Sequence, residues 1–120
     1  MKIYRLSIVA HYPASNHDNE ILTQNFSTKK SAVRTAWNFS AAVSSRAIGL
    51  FKDDQNYSPN IPFLSDKKGM KSGNFNITVE NNESNAVVAV YQIRTKAVEI
   101  MAAPMKEEEI KTAYAFGGTK

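Results

Sequence analysis

The chain has 120 residues, of which 42% are hydrophobic and 22% charged, a balance that excludes disordered and fibrous proteins and leaves one folded domain. It contains no cysteine, which excludes disulfides, thiolate catalysis and cysteine-ligated metal centres. Lysine and arginine outnumber aspartate and glutamate by 15 to 11, so the net charge of +4 is modestly basic.

The chain opens with two predicted strands joined by a turn. Residues 2–12 alternate between apolar and polar side chains, a period of two that is typical of a half-buried strand. Residues 13–19 have the proline, asparagine and aspartate composition of a turn. Residues 20–27 alternate again, and the three segments together predict a β-hairpin.

A long amphipathic helix is predicted next, with Ser27 or Thr28 as its N-cap. Apolar side chains recur every three or four positions along it, as on one face of a helix. This stripe comprises Ala32, Val33, Ala36, Trp37, Ala41, Val43, Ala47, Ile48 and Phe51. Trp37 is the only tryptophan, and we expect it to be buried against a sheet and to supply most of the helix's apolar area.

A long polar loop is predicted over residues 52–73, because proline, glycine and charged residues are frequent there. Two strands follow, over residues 74–80 and 86–94. The second is almost continuously apolar, which predicts a central position covered on both faces. A further strand over 96–102 and a short C-terminal helix from Pro104 complete the chain.

These elements predict the α+β class, with residues 1–120 forming one domain. We expect an antiparallel sheet of four or five strands, with one long helix packed on it and a short C-terminal helix. The predicted order along the chain is β-β-α-loop-β-β-(β)-α.

The densest polar cluster surrounds the hairpin turn and contains His11, His17, Asp18 and Glu20. Two histidines are suited to general acid–base catalysis, as in a metal-independent ribonuclease, or to metal binding beside a carboxylate. Their spacing matches no metal-ligand pattern, and turns collect such residues for local reasons, so a solvated turn is the simpler interpretation. No phosphate-loop, dinucleotide-binding, serine-hydrolase or zinc-protease motif occurs. The sequence predicts no metal and no cofactor, and catalysis is the less favoured class.

Basic residues are better organised. On a helix continued through residue 52, one sector of about 40° contains Lys30, Arg34 and Lys52. The loop that follows adds Lys67, Lys68 and Lys71. Together these residues predict a positive strip suited to phosphates or to an acidic protein surface. The alternative is an ordinary solvated helix face beside a lysine-bearing loop.

An apolar cluster interrupts the same loop and consists of Ile61, Phe63 and Leu64. It either anchors the loop to the core or forms the apolar centre of a contact with a partner. The predicted binding residues are therefore Lys30, Arg34, Lys52, Ile61, Phe63, Leu64, Lys67, Lys68 and Lys71.

Two function classes follow from these observations. The first is a small non-catalytic protein that binds and modulates another macromolecule, with a protein as the favoured partner, of the accessory or inhibitor type that phages and mobile elements encode. The second is a nucleic-acid-binding module that uses the basic strip, and a histidine-dependent ribonuclease is a distant third. No signal peptide or membrane-spanning segment is predicted, so we expect a cytoplasmic protein without a membrane partner.

Overall fold

Five antiparallel strands form a single sheet in the order β2-β1-β5-β4-β3, and one long helix crosses a face of it. The computed structural model describes residues 1–49 and 51–100. Along the chain the elements are β1 (Lys2–Tyr12), β2 (His17–Phe26), α1 (Lys29–Ser44), β3 (Tyr57–Asn60), α2 (Lys67–Ser72), β4 (Phe75–Asn81) and β5 (Val87–Glu99). The predicted α+β class, with an antiparallel sheet and one long helix, is confirmed.

The last predicted elements lie partly outside the described residues. The short C-terminal helix falls wholly in residues 101–120, as does the end of the further strand predicted over 96–102. The part of that strand that is described, residues 96–99, continues β5 without a break. One long central strand therefore replaces the two shorter strands that the sequence predicts.

The segment 52–73, predicted to be a polar loop, contains two short elements. Strand β3 is an edge strand of the described sheet and pairs with β4. Proline has no N–H to donate, and at an edge strand Pro59 therefore interrupts no hydrogen bonding between strands in the middle of the sheet. Helix α2 begins where the Asp66 side chain accepts the Gly69 N–H at 3.0 Å. It ends at Gly73, whose φ of 76° is a left-handed conformation that glycine adopts without strain.

The core lies between the sheet and α1. Because partners across strands share a face, alternate residues of β1, β4 and β5 point at the helix. Strand side chains in this core are Leu6, Ile8, Ala10, Phe75, Ile77, Val79, Ala89, Tyr91 and Ile93. From α1 the buried side chains are Ala32, Val33, Ala36, Ser40 and Val43, mostly small, which lets the helix lie close to the sheet.

Trp37 does not have the predicted position, because 47% of its surface is exposed. At 100° per residue it lies about 90° from the centre of the buried face of α1, at the margin of the apolar stripe. The prediction that it provides most of the apolar contact with the sheet is wrong. Tyr91 and Phe75, each 2% exposed, are large aromatic side chains of the core, and Tyr91 packs edge-on against Phe39.

The helix also ends earlier than predicted. Thr28 is the N-cap and accepts the Ser31 N–H, as expected, but α1 stops at Ser44. Arg46 adopts a left-handed φ of 58°, and Gly49 follows with a φ of 102°. The apolar pattern beyond Ser44 therefore does not continue the helix, and Ala47 and Ile48 are exposed.

The opposite face of the sheet is called here the open face. In the described residues α1 lies across the other face and α2 contacts α1. Strand β5 is central as predicted, but coverage on both faces is not found, since Arg94 and Lys96 are exposed on the open face. No helix in residues 1–49 and 51–100 is long and apolar enough to cross a bilayer.

Candidate binding site at Trp37

The exposed Trp37 side chain is held in place. Its indole Nε1–H donates a hydrogen bond of 2.7 Å to the backbone carbonyl of Met70, in the middle of α2. This bond joins two residues that are 33 positions apart and fixes the ring on the outer side of α1. An aromatic side chain that is both exposed and immobilised loses little conformational entropy when it binds a partner.

A groove of about 450 Å³ lies on one side of the indole ring. Its lining residues are Lys29, Lys30, Val33, Arg34, Trp37 and Lys71. The first turns of α1 supply most of them, and Lys71 comes from α2. The floor is apolar while the rim carries four cations, and within the described residues none of the four forms a salt bridge.

A second hollow, of about 230 Å³, lies on the other side of the ring. Its lining residues are Trp37, Ser40, Ala41, Phe63 and Met70. Phe63 is 60% exposed at the margin of this hollow. Trp37 is thus a ridge between a cationic groove and an apolar hollow, and these three features together are called the Trp37 site.

The structure brings together part of the predicted binding set. Lys30, Arg34 and Lys71 line the groove, and Phe63 lines the hollow. Lys52 does not join them, because α1 ends at Ser44 and the helical alignment that grouped it with Arg34 does not exist.

The other predicted residues have separate positions. Lys67 and Lys68 lie in the first turn of α2, exposed and outside both linings. Ile61 is half-buried and packs against the core, whereas Leu64 is 83% exposed. The apolar cluster of the loop is therefore divided, with Ile61 anchoring the loop to the core and Phe63 and Leu64 at the surface.

Sequence reasoning missed Trp37 and Lys29 as members of the site. The position of Trp37 at the margin of the apolar stripe is the one feature of the sequence that indicates its exposure. No feature of the sequence indicates its hydrogen bond to Met70, because that bond depends on where α2 folds back.

The sole tryptophan makes the charge of the groove measurable. Because the rim is cationic, we expect iodide to quench Trp37 fluorescence more strongly than caesium does at low ionic strength. Lys30→Glu/Arg34→Glu should reverse this order. Neutral acrylamide should quench both proteins alike, which shows that exposure is unchanged. Stronger quenching by caesium in the unmodified protein would contradict the described rim.

The histidine cluster is divided by the sheet. His11 pairs across the hairpin with Asp18, and its Nδ1 lies 2.6 Å from the Asp18 carboxylate on the open face. His17 pairs instead with Tyr12, and the two rings stack with centroids 6.5 Å apart. Because adjacent residues of a strand point to opposite faces, the histidines lie on opposite sides of the hairpin. This arrangement does not suit a shared acid–base reaction.

Replacing both histidines with alanine is expected to change the free energy of unfolding by less than about 1 kcal/mol, because the contact between His11 and Asp18 that is lost is exposed to solvent. Urea unfolding would measure this change. A large loss of a biological activity in the folded double variant would contradict the solvated-turn interpretation and restore a chemical role for His11 and His17.

The described residues also contain a small further cavity but no group of metal ligands. Within residues 1–49 and 51–100, no three histidine or carboxylate side chains are grouped so that they could hold a metal ion. A small cavity between α1 and β3, bordered by Arg46 and Tyr91, has a volume of only about 10 Å³. That volume is about the size of one water molecule. Comparison with protein families, with curated proteins and with solved structures finds no match to this chain.

Proposed function

We propose that this protein is a non-catalytic binding protein, of the accessory or inhibitory kind, which takes an acidic segment of another protein across the Trp37 site. The observation that supports this most directly is the indole ring of Trp37, exposed to solvent yet fixed by its bond to Met70. Tryptophan and arginine are enriched among the residues that contribute most binding energy at protein interfaces. Trp37 and Arg34 lie together in one groove.

The charges around the groove determine the kind of segment. Lys29, Lys30, Arg34 and Lys71 have no acidic partner within the described residues, so carboxylates of a bound chain would be their counter-ions. Cations at the rim of an apolar contact mainly steer association and select the partner. In a segment with aspartate or glutamate beside an apolar side chain, the carboxylate would pair with the cations of the rim and the apolar side chain would contact the apolar floor of the groove.

The second hollow favours a protein over a nucleic acid. Phe63, Met70 and Ala41 offer an apolar surface next to the indole ring, and Leu64 is exposed nearby in sequence. Apolar side chains of a peptide can fill such a hollow, which is how the centres of protein interfaces are built. A phosphate backbone would meet the cations of the groove but would gain little from this hollow.

Selection from a displayed library of random peptides would test the proposal. We expect the enriched peptides to carry acidic residues next to tryptophan, phenylalanine or leucine. A parallel selection against Trp37→Ala should not enrich them. Enriched peptides that lack acidic residues, or that bind Trp37→Ala equally well, would overturn the proposal.

A further inference from the structure

The open face narrows at one end from five strands to three. Strand β1 pairs with β5 from Lys2 to His11, but β4 pairs with β5 only as far as Ile93. Beyond Ile93 the described part of the sheet consists of β2, β1 and β5, so within the described residues the C-terminal half of β5 is an edge with β1 beside it. The paired β1 and β5 at this end are called the β1–β5 ribbon.

Three cations are adjacent on this ribbon. Arg5 lies directly opposite Lys96, and the next pair on the same face is Ser7 with Arg94. All three cations are exposed, and no carboxylate of the described residues pairs with them. Like charges placed directly opposite one another destabilise a sheet, so the stability of the fold does not account for this arrangement.

The two guanidinium groups are positioned by neighbouring polar groups. Arg5 Nε donates a hydrogen bond to the Asn25 Oδ1 at 3.1 Å, which leaves its Nη groups available. One Nη of Arg94 donates to the carbonyl of Phe75 at 3.1 Å and to that of Ile93 at 2.8 Å. Both side chains are thus held before any ligand arrives, and planar guanidinium groups suit the oxygens of phosphate.

The rest of the open face indicates which phosphate-bearing ligand fits. The strand register adds Thr23, Asn76 and Gln92 to this face, and such side chains bond to phosphates and base edges. Ile3 and Val98 form an aliphatic pair on the same face beside the cations. No phenylalanine, tyrosine or tryptophan in the described strands points to this face, so it lacks the stacking platforms that single strands require. These features favour a duplex.

We propose that the cationic end of the β1–β5 ribbon binds double-stranded DNA. Sheet surfaces bind B-form DNA by placing strands against a groove, whereas the major groove of an RNA duplex is too narrow for side chains to read. The other end of the open face carries Asp18, Glu20 and Glu80, which would repel phosphates and confine the duplex to the cationic end. This surface lies on the opposite side of the sheet from the Trp37 site and does not depend on the function proposed there.

Two double variants with the same change in charge test this proposal. Arg5→Glu/Lys96→Glu alters the ribbon and Lys30→Glu/Arg34→Glu alters the Trp37 site; each takes the net charge from +4 to 0. Binding of a fluorescein-labelled duplex of about 20 base pairs would be followed by anisotropy over a range of salt concentrations. Circular dichroism would confirm that both variants are folded.

We expect the ribbon variant to bind the duplex at least about tenfold more weakly. The slope of the logarithm of its affinity against the logarithm of the salt concentration should be smaller in magnitude by about 2, as the loss of two phosphate contacts predicts. The Trp37-site variant should change affinity less than about threefold and leave the slope unchanged. Equal losses in both variants would show a non-specific charge effect and overturn the proposal. Tighter binding of single-stranded DNA or duplex RNA than of duplex DNA would overturn it too, as would no binding of duplex DNA at low salt.

Discussion

Tyr91→Ala is expected to lower the free energy of unfolding by about 3–5 kcal/mol, the usual cost of emptying a large buried aromatic site. Tyr91 is 2% exposed on the central strand β5. Its ring contacts Phe39 of α1 edge-on with the centroids 5.5 Å apart, and its core neighbours on the adjacent strands are Ala10 and Ile77. The residues around it belong to β1, β3, β4 and α1, so the cavity cannot close by a small local movement. Urea unfolding would measure the change.

Trp37→Ala is the matched control for this variant, since it also removes a large aromatic side chain. We expect it to cost only about 1–2 kcal/mol, because half of the ring is already in water and one hydrogen bond, to Met70, is lost. A loss for Trp37→Ala as large as that for Tyr91→Ala would contradict the assignment of Tyr91 to the core and Trp37 to the surface.

For the binding function, Trp37→Ala should weaken the affinity for a selected acidic peptide by at least about thirtyfold, the effect of losing a residue that contributes about 2 kcal/mol at an interface. The ring forms the wall shared by the groove and the hollow, so its removal merges the two and eliminates the apolar ridge. Isothermal titration calorimetry with a single purified peptide would measure this effect.

Charge and apolar contacts are separated by three further variants. Lys30→Glu/Arg34→Glu should weaken binding of the peptide strongly at low salt and less at high salt, because salt screens the charges of the rim. Phe63→Ala should weaken binding of the peptide to a similar extent at every salt concentration. Lys52→Glu is a control that reverses an exposed cation outside the site, and it should leave the affinity unchanged. A loss of affinity for Lys52→Glu as large as half of that for Lys30→Glu/Arg34→Glu, on a logarithmic scale, would argue against a located site.

The long elements could be predicted because their periodicity is strong. Residues 2–12 alternate over the whole of β1, and the N-cap at Thr28 marks the start of α1 in the sequence itself. The end of α1 was not predictable from the same pattern. Apolar residues continue to Phe51 at helical spacing, but the backbone is no longer helical at Arg46, which has a left-handed φ. The Arg46 guanidinium then donates a hydrogen bond to the backbone carbonyl of Tyr57.

The short elements depend on partners that are remote in sequence. Strand β3 has four residues and exists because β4 offers an edge for it to pair with. Helix α2 has six residues, too few for a hydrophobic period, and close packing determines its position. A Cβ at Gly69 would collide with the carbonyl of Asn74 and with the Asp66 carboxylate.

The candidate site was predictable only in part for the same reason. Lys30 and Arg34 lie on one side of α1 within one turn, so their proximity follows from helix geometry. The approach of Lys71 and Phe63 depends on the path of residues 52–73, which no local pattern describes. The position of Trp37 on the apolar stripe predicts burial, yet an indole whose N–H is hydrogen-bonded is stable at a surface.

The pairing of β1 with β5 has a consequence for how the chain folds during synthesis. Lys2 is paired with Glu99, so the middle of the sheet joins segments that are separated by almost the whole described chain. Until β5 has left the ribosome, β2 is the only described strand that is hydrogen-bonded to β1, and the edge that β5 will occupy stays unpaired. Such high contact order slows folding and prolongs the exposure of aggregation-prone edges. The β5-facing edge of β1 is therefore open until nearly all of the described residues have been synthesised.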